Sequence, residues 1–63
     1  MKLNGETVDE FAGTVAQLLD SRTIRREGVA VAVNGEIIPR SEWSVAVLPF
    51  GCHIEIVTAS AGG

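Results

Sequence analysis

The chain has 63 residues, one cysteine, a formal net charge of −3 and 46% hydrophobic residues. A chain of that length makes one small domain, which buries only about 60% of the surface its unfolded form exposes. It leaves little scaffold around a cleft of ~300–1,000 Å³, its acidic balance argues against nucleic acid or an anionic membrane as partner, and no apolar run approaches the ~20 residues of a membrane span.

The lone thiol, Cys52, cannot form an intrachain disulfide, and no Cys/His spacing resembles a zinc site, so no metal ligand is assigned. The N terminus lacks the charged-then-apolar layout of a signal peptide, which makes a reducing cytoplasm the expected location. A module handled by other proteins is expected rather than a catalyst, and no catalytic residue is assigned.

In chain order, Met1–Asn4 and Gly5–Val8 read as a short hairpin, because Asn4-Gly5 tolerates positive φ at both central positions of a type I′ turn. Thr14 and Gln17 fit a capping box. Val15, Leu18 and Leu19 then recur at i, i+3, i+4, which predicts a helix over 14–21 with Phe11 closing its start. Arg22, Arg25 and Arg26 follow as a solvated loop suited to a helix C-terminal end. Val29–Val33 alternates large and small residues, as a central strand with its valines toward the helix and its alanines on the other face. Asn34-Gly35 is a second hairpin signal, and Glu36–Ile38 forms the return strand, ended by Pro39. Arg40–Trp43 reads as a short turn of helix before Val45–Leu48, and Pro49–Cys52 as another turn. In His53–Thr58 the alternation places Ile54 and Ile56 inward and His53 and Glu55 outward.

The order is therefore β-β-α-β-β-turn-β. One helix between two hairpins, laid on one sheet face, is an α+β fold of the ubiquitin-like or β-grasp kind, with a mixed sheet of 4–5 strands. The expected division is a β-grasp domain over 1–58 and a flexible C-terminal tail over 59–63, since Ala59-Ser60-Ala61-Gly62-Gly63 has nothing to bury.

That tail carries the functional expectation. Five extended residues span about 17 Å. Without side chains on Gly62 and Gly63, such a segment passes through a narrow channel and sets its carboxylate beside a nucleotide. A carboxylate is a poor electrophile, but its mixed anhydride with AMP is open to a sulfur or amine nucleophile, which divides one hard step into two easier ones. The chemistry requires Gly63 to be the terminal residue of the working protein. Gly63 is thus the expected activation site, with Gly62 and Ala61 as the threading segment; the plainer alternative is a frayed terminus.

Val31-Ala32-Val33-Asn34-Gly35-Glu36-Ile37-Ile38-Pro39-Arg40-Ser41-Glu42-Trp43, together with the ending Ile54–Gly63, resembles the ThiS family of sulfur carriers in thiamin biosynthesis. The resemblance covers essentially the whole chain. It implies that an E1-like adenylyltransferase (ThiF) activates the Gly63 carboxylate with ATP and magnesium. It further implies that sulfur from a cysteine desulfurase route converts the carboxylate to a thiocarboxylate, and that thiazole synthase (ThiG) receives that sulfur. No cofactor is then held permanently by the chain itself. The turn departs from the family, which usually carries Asp-Gly-Asp where this chain has Phe50-Gly51-Cys52. Phe50 and Cys52 are accordingly candidate partner contacts. That departure keeps open a related carrier serving molybdopterin or cysteine synthesis. A non-covalent ubiquitin-like interaction module with an idle tail is the alternative from another class.

Of the remaining residues, Cys52 reads as an incidental thiol or a sulfur-transfer partner, and His53 as a solvated side chain. Trp43 is expected to cover the core edge. Asp9 and Glu10 are sequence neighbours that point apart, which gives no acid–base pair.

Overall fold

A computed structural model describes residues 1–58, so the expected tail, and with it the 58/59 division, lies outside the described residues. Five strands and one helix follow in the expected order: β1 Lys2–Leu3, β2 Glu6–Thr7, α1 Val15–Ser21, β3 Val29–Val33, β4 Glu36–Ile37, a 3₁₀ turn at Arg40–Glu42, and β5 His53–Thr58. The sheet order is β2-β1-β5-β3-β4, which makes β5 the middle strand and β3 its inner neighbour. β5 runs parallel to β1 and antiparallel to β3, so the sheet is mixed.

Local chemistry explains most of these elements. Both Asn-Gly pairs adopt left-handed conformations at both positions, with φ of 51° and 84° at Asn4-Gly5 and 51° and 83° at Asn34-Gly35, as a type I′ turn requires. The capping box is complete. The Gln17 N–H donates to Thr14 Oγ1 at 3.2 Å, and the Thr14 N–H donates to Gln17 Oε1 at 2.9 Å. Gly13 is needed beside it, because a Cβ there would sit 2.5 Å from Gln17 Oε1 and 2.8 Å from the Phe11 ring. The helix ends in a Schellman arrangement: Ile24 N–H donates to Leu19 O at 2.9 Å and Thr23 N–H to Asp20 O at 3.1 Å. Thr23 takes the left-handed position, φ 57°, that glycine usually fills.

Val45–Leu48 is not a strand of the sheet. Instead it lies across the start of α1, where Val15 N–H donates to Ala46 O and Leu48 N–H donates to Gly13 O. With Ala16 N–H donating to Trp43 O, this segment satisfies helix donors that lack an intrahelical partner.

The core is a single cluster between helix and sheet, built on Val15, Leu18 and Leu19 of α1 and Val31, Val33 and Ile54 of the sheet. Trp43 closes one side as expected, with its Nε1–H donating to Ile38 O at 2.9 Å and the Arg40 guanidinium 6.0 Å from its ring centre. Among the described residues no helix is long and apolar enough to cross a membrane.

Candidate functional site: the last strand and its surroundings

β5 leads directly toward the expected tail, and its neighbours hold it on both sides. On one side β3 pairs along its whole length, from Val33↔Ile54 to Val29↔Thr58. On the other side β1 pairs only at Lys2↔His53 and Leu3↔Ile54. Asn4 continues that edge with its side chain: Nδ2 donates to Ile56 O at 3.1 Å, and Oδ1 accepts from Ile56 N–H at 2.8 Å. The second turn asparagine acts at the opposite end of the strand, where Asn34 Oδ1 accepts from His53 N–H at 2.9 Å.

The sheet face away from α1 is open beside the end of β5. Ala30, Ala32, Ile37 and Val57 form a shallow apolar depression there, with Glu55 as its charged member. Ile37 and Val57 are 72% and 61% exposed, unusual for large aliphatic side chains that cluster. The sequence reading put the alanines on this face but missed Ile37 and Val57 as surface features. The signal was present at Val57, where the outward polar series His53, Glu55 turns apolar.

Phe50 and Cys52 separate in the structure. Phe50 is 90% exposed at the tip of its turn, whereas Cys52 is 2% exposed and belongs to the core. Burial pushes the Cys52 thiol above its ordinary pKa, which disfavours the reactive thiolate. The turn therefore offers a partner the Phe50 ring and its own backbone, and the thiol packs beneath them. Six residue steps separate Cys52 from Thr58, about 20 Å of extended strand, so the Phe50 turn and the end of β5 occupy opposite ends of the sheet. Exposed Val45 and Val47 lie on the segment that crosses the start of α1.

Glu10 fixes that turn. Its Oε1 accepts from Gly51 N–H at 2.9 Å, and its Oε2 accepts from the Met1 amino group. The Gly51 hydrogen bond, followed by the amino group, holds the carboxyl below the ordinary carboxylate range. A carboxyl with a depressed folded-state pKa contributes stability that is fully present above its unfolded pKa and is lost as pH falls through the folded one. Glu10→Gln is expected to lower the urea midpoint at neutral pH, with the two midpoints converging as the wild-type carboxyl protonates in acid. A gap that persists at acid pH would assign the effect to something other than the ionised carboxylate.

His53 is exposed as expected, and Arg26 pairs with Asp20 on the surface at 3.1 Å. Among the described residues, no three His, Cys, Asp or Glu side chains converge as a metal site would require.

A five-stranded mixed sheet with one helix across it, and a middle strand paired on both sides, defines a β-grasp domain. The sequence model of the ThiS family matches residues 1–63. The chain belongs to the ThiS family, whose members are carriers and not enzymes. It is 36% identical over 61 residues to the sulfur carrier protein ThiS of Escherichia coli K12, covering 95% of this chain and 92% of that protein. Its fold is similar to the crystal structure of the thiamine biosynthesis protein ThiS from Geobacter metallireducens, with a TM-score of 0.80, 29% identity, and coverage of 98% and 96% of the two chains. A solution structure of a thiamine biosynthesis protein from the same organism gives a TM-score of 0.76 at 29% identity, with coverage of 98% and 85%.

Proposed function

We propose that this chain is a sulfur carrier of thiamin biosynthesis that works through the carboxylate of Gly63. The observation that carries the reading is the family match over residues 1–63, which includes the Ala61-Gly62-Gly63 ending. In this reading an E1-like partner of the ThiF kind joins the carboxylate to AMP, using ATP and magnesium and releasing pyrophosphate. A persulfide supplied through a cysteine desulfurase then displaces AMP to give an acyl disulfide, and a thiol reductant cleaves its S–S bond to release the thiocarboxylate. Thiazole synthase (ThiG) accepts that sulfur. Gly62 and Ala61 thread the partner's channel, and the chain itself holds no resident cofactor.

The body supports this role by presentation. A strand gripped from both sides gives the segment beyond it a fixed root, and positioning of reacting groups is worth about 7–11 kcal/mol of barrier in favourable cases. The apolar depression at Ala30, Ile37 and Val57 lies beside that root and suits a protein surface. Phe50, at the far end, contacts only a partner large enough to reach past the sheet.

Incubation with the E1-like enzyme, ATP and a sulfur donor is expected to raise the protein mass by the difference between one sulfur and one oxygen atom. Fragmentation should place the change at Gly63. An unchanged mass with a partner proven active on another carrier would overturn the reading.

A further inference from the structure

We propose that Asn4 is a positioning residue for the C-terminal segment: its side-chain amide closes β5 at Ile56 and so fixes the direction in which the chain leaves the sheet. The proposal rests on the carrier reading above.

β1 stops too early to do this itself. Its last pairing is Leu3↔Ile54, and the backbone contact that follows is Asn4 N–H donating to Ile54 O at 2.8 Å. The chain then turns away through Asn4-Gly5, while β5 continues to Thr58. Ile56 would face that side with a bare N–H and C=O. A primary amide offers one donor and one acceptor, the same pair a neighbouring peptide would present. Asn4 uses both, at 3.1 and 2.8 Å, so the ladder runs two residues beyond the last backbone-paired position. Without them the last residues of β5 would hang from β3 alone, and the strand end would be free to swing about that single seam.

Asn34 supplies an internal control. It has the same left-handed φ of 51° and the same place in an Asn-Gly turn, and its amide also bonds β5. It holds His53, at the start of the strand, whereas Asn4 holds Ile56, three residues before Ala59. If the two side chains served only the turns or overall stability, their removal would have matching consequences.

Glycine separates the roles, because it keeps positive φ and the type I′ turn while deleting the amide. The test compares wild type, Asn4→Gly and Asn34→Gly at a temperature where denaturation curves show all three folded. Two quantities are measured: amide hydrogen exchange, and the kinetics of C-terminal adenylation by the E1-like enzyme. For Asn4→Gly we expect faster exchange at Ile56 and a kcat roughly fivefold to tenfold lower with little change in KM, since the body still binds but delivers the carboxylate less often. Asn34→Gly should lose comparable stability and keep the wild-type kcat. Asn4→Asp, which retains the acceptor and loses the donor, should fall between wild type and Asn4→Gly. A wild-type kcat in folded Asn4→Gly, or an equal fall in Asn34→Gly, overturns the proposal. A wild-type chain that is not activated at all overturns the carrier reading instead, and the exchange rate at Ile56 then decides on the clamp alone.

Discussion

Trp43→Ala is expected to lower the stability of the domain by about 3–5 kcal/mol, the usual cost of deleting a buried aromatic side chain. A chain of this size has a total stability of about 3–9 kcal/mol, so the loss removes a third of it or more and the urea midpoint should fall steeply. Three connections meet at this residue. The indole is 2% exposed and belongs to the core cluster. Its Nε1–H is the partner of Ile38 O, and its own carbonyl accepts the Ala16 N–H from the first turn of α1. The last contact is made by backbone and survives truncation only if the 3₁₀ turn keeps its place without the ring. Trp43→Phe separates packing from hydrogen bonding: it keeps an aromatic body but leaves Ile38 O without its donor, at a cost of about 1–3 kcal/mol. Urea denaturation followed by far-ultraviolet circular dichroism checks both, since the substitution removes the chain's one tryptophan and its fluorescence. A midpoint for Trp43→Ala close to wild type would mean that the ring lies over the core without helping to hold it.

What could be read from the sequence was what neighbours decide among themselves. Thr14 and Gln17 are three residues apart, and each satisfies the other's backbone, so the helix start was legible. The two Asn-Gly pairs set their own φ values, and both hairpins followed. The distant pairings were not legible, because nothing local announces them. Glu10 meets Gly51 across 41 residues, and Asn4 meets Ile56 across 52, each by a side chain whose type is also at home in a solvated turn. Nothing local assigns Val45–Leu48 a partner either, and the backbone of that segment meets the start of α1. Cys52 could have been placed correctly. Carrying the inward alternation of Ile56 and Ile54 back by two residues puts its thiol in the core, next to the turn at Gly51. The candidate site divides in the same way. The chemistry proposed for it lies in the ending Ala61-Gly62-Gly63, which sequence alone can suggest, whereas the strand pairing before it is long-range and emerges only once the sheet is assembled.

Deleting Gly63 alone is expected to abolish adenylation while leaving the denaturation midpoint at the wild-type value. The described core runs from Val15 to Ile54, and a glycine has no side chain to add to it. The shortened chain still ends in a glycine carboxylate, chemically the same group, but that group stops about 3.5 Å short of where it is needed. A misplacement of 1 Å can cost about a hundredfold in rate, so a full residue should remove the reaction from measurement. Adding one residue after Gly63 should fail equally, for the opposite reason, because the carboxylate overshoots. Binding should respond differently. If the partner rests on Ala30, Ile37 and Val57 as well as gripping the tail, the shortened chain still docks and competes with wild type as an inhibitor. Adenylation that survives the deletion would place the chemistry elsewhere on the chain. Inhibition without turnover would assign affinity to the body and reactivity to its last residue, which is the division of labour a reusable carrier needs: the charged group must leave the partner intact, so its own bonds cannot be what holds the complex together.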